Sequence, residues 1–333
     1  MKVLVTGGAG FIGSHLVERL LADGHAVTVV DNFSSGRVEN LAHLQGHPAL
    51  RVDRLDMTHH DEMKRLCEGI DWVFHLAALA DIVPSIQRPL DYYQANVSGT
   101  ASVVEAARLA GVKRFVYTAS SSCYGITDTY PTPEEAPIRP QYPYALTKWL
   151  GEQLVLHWAQ VYRLPAVSLR LFNVYGPLAR TTGAYGAVFG VFLAQTLAGK
   201  PLTVVGDGSQ TRDFTFVTDV VEAFVRAAES HVRAEVFNVG SGKTSSVARL
   251  ASLLGGPVVH VPKRPGEPDC TWADTSRIRR VLGWEPRVGF EEGVRRMLEH
   301  LNDWSSAPVW TPESIAEATK DWFRYLSPAA AAG

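Results

Sequence analysis

Apolar residues along this chain follow two alternating rhythms. Continuous runs stand at residues 2–6 (Lys2-Val3-Leu4-Val5-Thr6) and 26–30 (Ala26-Val27-Thr28-Val29-Val30), and between them Leu16, Leu20 and Leu21 recur at helical spacing. Short unbroken runs rich in β-branched residues predict strands buried on both faces, and the 3–4 residue recurrence predicts helix. The same exchange continues with a short strand at 50–52, a helix at about 61–67, a strand at 72–76 and a long helical segment near 89–110. A strand at 114–118, a second long helix at about 144–162 and a strand at 166–170 follow. Strands separated by helix-length segments require right-handed crossovers, so the pattern predicts an α/β fold with a doubly wound parallel sheet. Ligands on such sheets sit beyond the carboxyl ends of the strands.

Beyond residue 172 the rhythm loosens and turns multiply, as at Tyr175-Gly176-Pro177, Gly206-Asp207-Gly208 and Arg264-Pro265-Gly266. We expect a nucleotide domain over residues 1–172, with some later segments returning to it, and a smaller mixed α/β cap over 173–310. A C-terminal helix and tail occupy 311–333. Thr311 can cap that helix, Pro312 suits its first position, and Ile315, Thr319, Trp322 and Leu326 share a face. Residues 329–333 are expected to fray.

Composition narrows the classes of function. A net charge of −2 with no long basic block argues against nucleic acid or an anionic membrane as partner. The first strand begins at Lys2, which leaves no room for a signal peptide, and no apolar run reaches membrane-spanning length. Cys67, Cys123 and Cys270 are scattered without metal spacing, so reduced thiols, a cytoplasmic location and no metal are expected.

The chemistry begins at the first strand end. Gly7, Gly10 and Gly13 stand three apart in Gly-Gly-Ala-Gly-Phe-Ile-Gly, directly before the first helical pattern. Strand, glycine turn and helix in that order make a dinucleotide phosphate site, because the backbone can approach pyrophosphate and the helix start offers free N–H groups. Asp31 ends the second strand, where a carboxylate accepts ribose hydroxyls and repels a 2′-phosphate, favouring NAD over NADP.

Tyr144 and Lys148 lie four apart after Pro143, on one face of a helix. Tyrosine has a pKa near 10, so acting as a base at pH 7 requires roughly 4 kcal/mol of phenolate stabilisation. A lysine cation about 6 Å away at an effective dielectric of ~20 supplies roughly 2–3 of this, and a positively charged nicotinamide the rest. Ser120, in Ser120-Ser121-Ser122 just past the strand ending at Thr118, offers a hydroxyl to the oxygen being deprotonated.

On these residues the chain resembles the extended short-chain dehydrogenase/reductase family, especially its nucleotide-sugar 4-epimerases. The likeness spans nearly all of residues 1–300. Its landmarks are the 5–13 segment, Asp31-Asn32, Phe74-His75-Leu76-Ala77-Ala78, Asn96-Val97-Ser98-Gly99-Thr100, Ser120-Ser121-Ser122-Cys123-Tyr124-Gly125, Tyr144-Ala145-Leu146-Thr147-Lys148 and Arg170-Leu171-Phe172-Asn173. The resemblance implies that Phe11 and Ile12 meet the pyrophosphate, and that Asn32, Phe33, Ser34, Ser35 and Gly36 join Asp31 in the cofactor site. It sets Asp56 and Met57 beside adenine, and Leu76, Ala77, Ala78 and Ala80 beneath the cofactor. Asn96 belongs to the same set, with Phe172 by the nicotinamide, while His75 is a buried strand residue. For the substrate it implies Ser120, Ser122, Asn173, Val205 bordering the base, and Arg212, Arg264 and Glu267 on the nucleotide diphosphate and its ribose. Paired guanidinium donors suit a pyrophosphate and a carboxylate suits ribose hydroxyls.

Relatives that dehydrate or decarboxylate usually carry an acid after the first hydroxyl; here Ser121 and Ser122 take those places. The expectation is therefore NAD-dependent 4-epimerisation through a 4-keto sugar. The alternatives are 4,6-dehydratase, UDP-glucuronate decarboxylase or keto-sugar reductase chemistry, and more remotely a non-catalytic NAD sensor. Thr271 matches a gate position where a bulky aromatic restricts other epimerases to plain hexoses, which implies a UDP-sugar that can carry a 2-acetamido or other substituent. A homodimer is implied by analogy through the two long helices, where Leu150, Leu154, Trp158 and Val161 form a stripe. The tail beyond residue 305 does not match the commonest of these epimerases.

Overall fold

The computed structural model describes residues 1–179 and 186–327; the expected fraying at 329–333 lies outside them. The first half runs β1 (Lys2–Thr6), α1 (Phe11–Ala22), β2 (Ala26–Asp31), β3 (Leu50–Arg54), α2 (His60–Cys67), β4 (Trp72–His75), α3 (Ile82–Gln87), α4 (Pro89–Tyr93), α5 (Gly99–Leu109), β5 (Arg114–Ser120), α6 (Pro143–Val161) and β6 (Ala166–Leu171). The second half runs β7 (Val174–Tyr175), α7 (Val188–Leu197), β8 (Leu202–Val205), β9 (Thr211–Arg212), β10 (Thr215–Phe216), α8 (Val217–Glu229), β11 (Glu235–Val239), β12 (Ser245–Ser246), α9 (Val247–Leu254), β13 (Val258–Val261), α10 (Ser276–Leu282), α11 (Phe290–Glu299) and α12 (Pro312–Leu326).

Seven strands form one parallel sheet in the order β11-β6-β5-β4-β1-β2-β3. The chain order reverses between β1 and β4, and the crevice outside their carboxyl ends is the binding position of such sheets. Strand alternation divides the core: Val3, Val5, Phe74 and Val116 face α1 and α8, whereas Leu4, Val73, Phe115 and Tyr117 face α2, α5 and α6. Each such fully buried side chain contributes about 1.5–3 kcal/mol of transfer free energy. The segments 217–239 and 276–284 pack into the first of these layers through Val220, Phe224, Phe237, Ile278 and Trp284.

The cap has its own core of Tyr175, Phe189, Phe192, Leu202, Phe214, Phe216, Leu250 and Met297. Trp304 and Ile315 join it, so the C-terminal segment is built into the cap. The α12 start is capped as expected: the Ser314 N–H donates to Thr311 Oγ1 at 3.3 Å, with Pro312 in the first turn.

Two local expectations change. β5 continues to Ser120 rather than ending at Thr118, because Ala119 and Ser120 pair with Arg170 and Leu171. The helical segment near 89–110 is broken: α4 and α5 meet through a π-helical turn at Gln94–Ser98. That wide turn delivers Asn96 to the loop after β4, where Asn96 Nδ2 donates to Leu79 O at 2.9 Å and Leu79 N donates to Asn96 Oδ1 at 2.8 Å. The α6 stripe is divided: Val161 is 52% exposed and Leu150 and Leu154 are half-buried, whereas Trp158 packs against the core, and Gly151, Glu152 and Val155 face inward. Among the described residues no helix is long and apolar enough to cross a membrane.

Candidate active site

A cavity of about 690 Å³ opens at the β1–β4 crevice and extends under the cap. Its cofactor side is a cradle that side chains would fill. Gly7 sits at φ +69°, and a Cβ there would lie 2.7 Å from Ala77 N. A Cβ on Gly13 would lie 2.1 Å from Gly7 O, so only glycine lets α1 close on the turn. The N-cap of α1 is Gly10, with no side-chain cap and no acidic residue in the first turn. The N–H groups and partial positive charge at that end therefore suit an anion.

Asp31 closes the far end of the cradle. Its Oδ2 accepts from Ala9 N at 3.0 Å and its Oδ1 from Phe33 N at 2.8 Å. Burial raises its pKa and these amides oppose the rise. Gly36 packs so closely that a Cβ would meet Asp31 Oδ2 at 2.7 Å. Asn32, Ser34, Ser35, Met57, Leu76, Ala77, Ala78 and Ala80 line the wall with Phe11 and Ile12. Asp56 lines it too, its Oδ2 accepting from Asn32 Nδ2 at 2.8 Å and its Oδ1 from Thr58 Oγ1 at 2.6 Å. Burial pushes the Asp56 carboxyl upward, but the Thr58 and Asn32 donors prevail and its pKa falls. Phe33, Asn96 and Phe172 stand behind the wall. Phe33 carries the Arg54 guanidinium at 5.5 Å, Asn96 is spent on Leu79 and Thr147, and Phe172 lies in a small cluster with Tyr124. An adenine dinucleotide fits this arrangement of glycine cradle, bare helix end and ribose-facing carboxylate.

The candidate catalytic residues stand where β5 ends and α6 begins. Tyr144 occupies the first turn of α6 after Pro143, where the helix end favours a phenolate. Burial raises its pKa, a hydrogen bond with Ser120 lowers it, and Asp81 on the cavity wall raises it. Ser120 Oγ donates to Ser122 Oγ at 3.1 Å and accepts from Ser122 N at 3.2 Å. Lys148 is buried one turn along, its Nζ 4.6 Å from the Tyr117 ring centroid. Desolvation lowers its pKa to about 7, against the attraction of Glu152. The expected lysine-driven phenolate thus gains an opposing cost: burial disfavours the charged form of both residues. His75 is buried in β4, its ring nitrogens 2.7 Å from Thr6 Oγ1 and 2.9 Å from Thr100 Oγ1, and desolvation followed by Lys148 repulsion pushes it down to about 3.

The cap side is made of side chains. Arg212 Nη2 donates to Glu267 Oε1 at 2.8 Å, and Arg264 Nε lies 3.4 Å from Glu267 Oε2. Thr271 Oγ1 donates to Asn173 Oδ1 at 2.7 Å and accepts from Asp213 N at 3.2 Å. Val205, Ser122, Asn173, Thr271 and both arginines line the same cavity as the glycine cradle. Sequence reasoning missed Asp81, Tyr142, Phe214, Trp304, Trp310 and Trp322, which also line it. Trp322 had a signal, its place on the apolar face of α12; Tyr142 had another, its position two residues before Tyr144. Among the described residues no cluster of three or more His, Cys, Asp or Glu could hold a metal ion.

A parallel sheet with a glycine-lined crevice at its switch point, and a serine, a tyrosine and a lysine at the β5–α6 junction, defines a class, and the chain belongs to it: the NAD dependent epimerase/dehydratase family, whose model matches residues 3–240. The chain is 40% identical over 312 residues to the UDP-glucose 4-epimerase of Mycolicibacterium smegmatis, covering 91% of this chain and 99% of that protein. It is 34% identical over 321 residues to a UDP-N-acetyl-alpha-D-glucosaminuronate decarboxylase of Bacillus cytotoxicus, covering 91% and 98%. Among solved structures it resembles the UDP-glucose 4-epimerase of Thermotoga maritima with UDP-glucose, at TM-score 0.85 and 35% identity over 91% of this chain and 99% of that one.

Proposed function

We infer that the protein is an isomerase that inverts C4 of a UDP-sugar, with NAD as its cofactor. The observation that carries this reading is a single cavity lined at once by the glycine turn at Gly7, Gly10 and Gly13, by Tyr144, and by Arg212, Arg264 and Glu267. Gly7, Gly10 and Gly13 with the α1 end would hold the pyrophosphate of NAD, and Asp31 its adenosine ribose. When bound, NAD supplies the acceptor and later the donor of the two C4 electrons. Tyr144 takes the O4 proton as the C4–H bond is oxidised and gives it back when the bond re-forms on the other face. Ser120 offers its hydroxyl to the O4 being deprotonated, and Lys148 provides positive charge one helical turn from Tyr144. Arg212 and Arg264 neutralise the substrate diphosphate, Glu267 and Asn173 accept and donate around its ribose, and Val205 borders the base.

Epimerisation is favoured over decarboxylation or dehydration because Ser121 and Ser122 line the cavity after Ser120, and neither hydroxyl is an acid near neutral pH. Thr271 leaves room for a 2-acetamido or comparable substituent, which extends the proposed substrates to UDP-N-acetylhexosamines and to surface-polysaccharide synthesis. A cytoplasmic homodimer joined through the two long helical segments, α5 and α6, completes the reading.

Purified protein without added NAD, incubated with UDP-, GDP-, TDP- and CDP-sugars, should invert C4 of UDP-hexoses or UDP-N-acetylhexosamines by proton NMR. Release of carbon dioxide or a 4-keto product without inversion would sink the reading. Tyr144→Phe should lower turnover about 10²–10⁴-fold with substrate affinity little changed.

A further inference from the structure

Lys148 has to carry a positive charge inside the fold, and no carboxylate is there to hold it. The residue is 4% exposed, and among the described residues its ammonium forms no ion pair. Desolvation lowers its pKa to about 7, and Glu152, one turn further along α6, is the acid whose field opposes that fall. The Glu152 carboxylate is already engaged elsewhere. Arg170 donates to it through Nη2 at 2.6 Å and Nε at 3.0 Å, and Ser168 Oγ donates at 2.9 Å. What stands against Lys148 is an aromatic ring: Nζ lies over Tyr117, 4.6 Å from its centroid.

β5 and α6 fix that ring together. Tyr117 is fully buried, and its hydroxyl donates to Lys148 O at 3.1 Å. A Cβ on Gly151 would lie 2.3 Å from the same hydroxyl, so glycine lets the phenol pass beneath α6. One tyrosine thus bonds the main chain of Lys148 and faces its side chain. Helical side chains lean toward the helix N-terminus, here toward the turn that carries Tyr144. His75 on β4 lies against the Tyr117 ring at 5.6 Å and 42°; desolvation, then Lys148, pushes its pKa down to about 3, so it adds no rival cation. Burial and then Glu152 push the Tyr117 pKa up, so the ring stays a neutral phenol. A cation is attracted to the face of such a ring by its quadrupole, and once desolvated the contact is worth about 1.5 pKa units to an ammonium.

We propose that Tyr117 is a positioning residue for C4 inversion: the face of its ring seats the Lys148 ammonium and keeps that cation charged beside the turn of Tyr144. The proposal rests on the 4-epimerase reading above. Its rival is a structural Tyr117 that only fills the core and bonds Lys148 O. The test follows the titration of Lys148 by NMR in full-length, NAD-loaded protein carrying ¹³C at lysine Cε, the Lys148 signal being the one that Lys148→Met removes. A seated cation predicts that Tyr117→Leu lowers the Lys148 pKa by about one unit or more, while Tyr117→Phe, which keeps the ring, stays within about 0.3. Phe at 117 bearing two or three ring fluorines drains the face at nearly constant volume, and should lower the pKa stepwise. At pH 7 the kcat for UDP-glucose should fall about tenfold in the Leu variant, with KM and the Phe variant within about threefold of wild type. A Lys148 titration indifferent to fluorination, or a Phe variant displaced as far as Leu, would overturn the seat. Should the Leu variant fail to fold, the fluorinated series decides alone. Wild-type protein that leaves C4 of every UDP-sugar unchanged would count against the 4-epimerase reading, and the Lys148 titration would still judge the ring contact.

Discussion

The two halves of the cavity are built by opposite means, each with donors suited to an anion. On the cofactor side the donors are backbone N–H groups at the start of α1, and the residues that matter are glycines, whose missing Cβ atoms leave the space. They come from short contiguous turns after β1 and β2, and the turn after β4 adds Leu76, Ala77 and Ala78. On the substrate side the donors are guanidinium groups, and the wall is assembled from Asn173, Arg212, Arg264, Glu267, Thr271 and Trp322. Backbone recognition demands a fixed local spacing. Side-chain recognition demands only that tertiary packing bring the groups together.

The largest test of that contrast is Gly13→Ala. Its Cβ would lie 2.1 Å from Gly7 O, and backbone cannot yield as a flexible side chain would. We expect NADH affinity to fall about a hundredfold or more, roughly 3 kcal/mol, while UDP affinity in the folded variant changes little. Undiminished NADH binding by fluorescence titration would break the contrast from the cofactor side.

Arg212→Ala probes the other half. Arg212 is 7% exposed and paired with Glu267, so its removal leaves a carboxylate facing the diphosphate. The KM for UDP-sugars should rise about tenfold to a hundredfold, and NADH affinity should stay within about threefold. A parallel loss of both affinities would show that the halves are not independent.

The last test concerns pH, and its effect is the smallest only when counted per pH unit. The pKa of Lys148 in the folded chain is lowered to about 7, from a model-peptide value of 10.5, chiefly by desolvation. Between those limits the unfolded chain holds a proton that the folded chain has released. This group therefore makes stability rise as pH increases from about 7 to 10.5, and its penalty is constant below that window. Lys148→Met removes the contribution. In nucleotide-stripped protein, urea midpoints should show the wild type gaining on the variant across this window, by no more than about 1.4 kcal/mol per pH unit. A variant whose pH profile parallels the wild type would exclude a desolvated lysine.

These contrasts explain how far the chain could be read before folding. The parallel sheet was readable because continuous β-branched runs separated by helical repeats admit few topologies. Gly7, Gly13, Asp31 and the Tyr144–Lys148 spacing were readable because each is a local pattern. What escaped involved distance. The π-helical turn at Gln94–Ser98 breaks a segment whose periodicity reads as a single helix, and it turns Asn96 into a support for the loop at Leu79. Ser120 remained in the strand because β6 supplied partners as far as Leu171. Burial of Tyr144 and Lys148 reverses part of the expected phenolate stabilisation, a desolvation effect that spacing alone does not contain.

Fold class, the glycine cradle and the Tyr144–Lys148 pairing on one helix face thus follow from local order along the chain, because turns, strand runs and helical spacing are properties of neighbours. The composition of the cap side of the cavity, and above all the arrival of Trp322 between Tyr142 and Arg264, was settled by packing. Contacts between residues so far apart in the chain carry no periodic trace, since they depend on how whole elements are stacked.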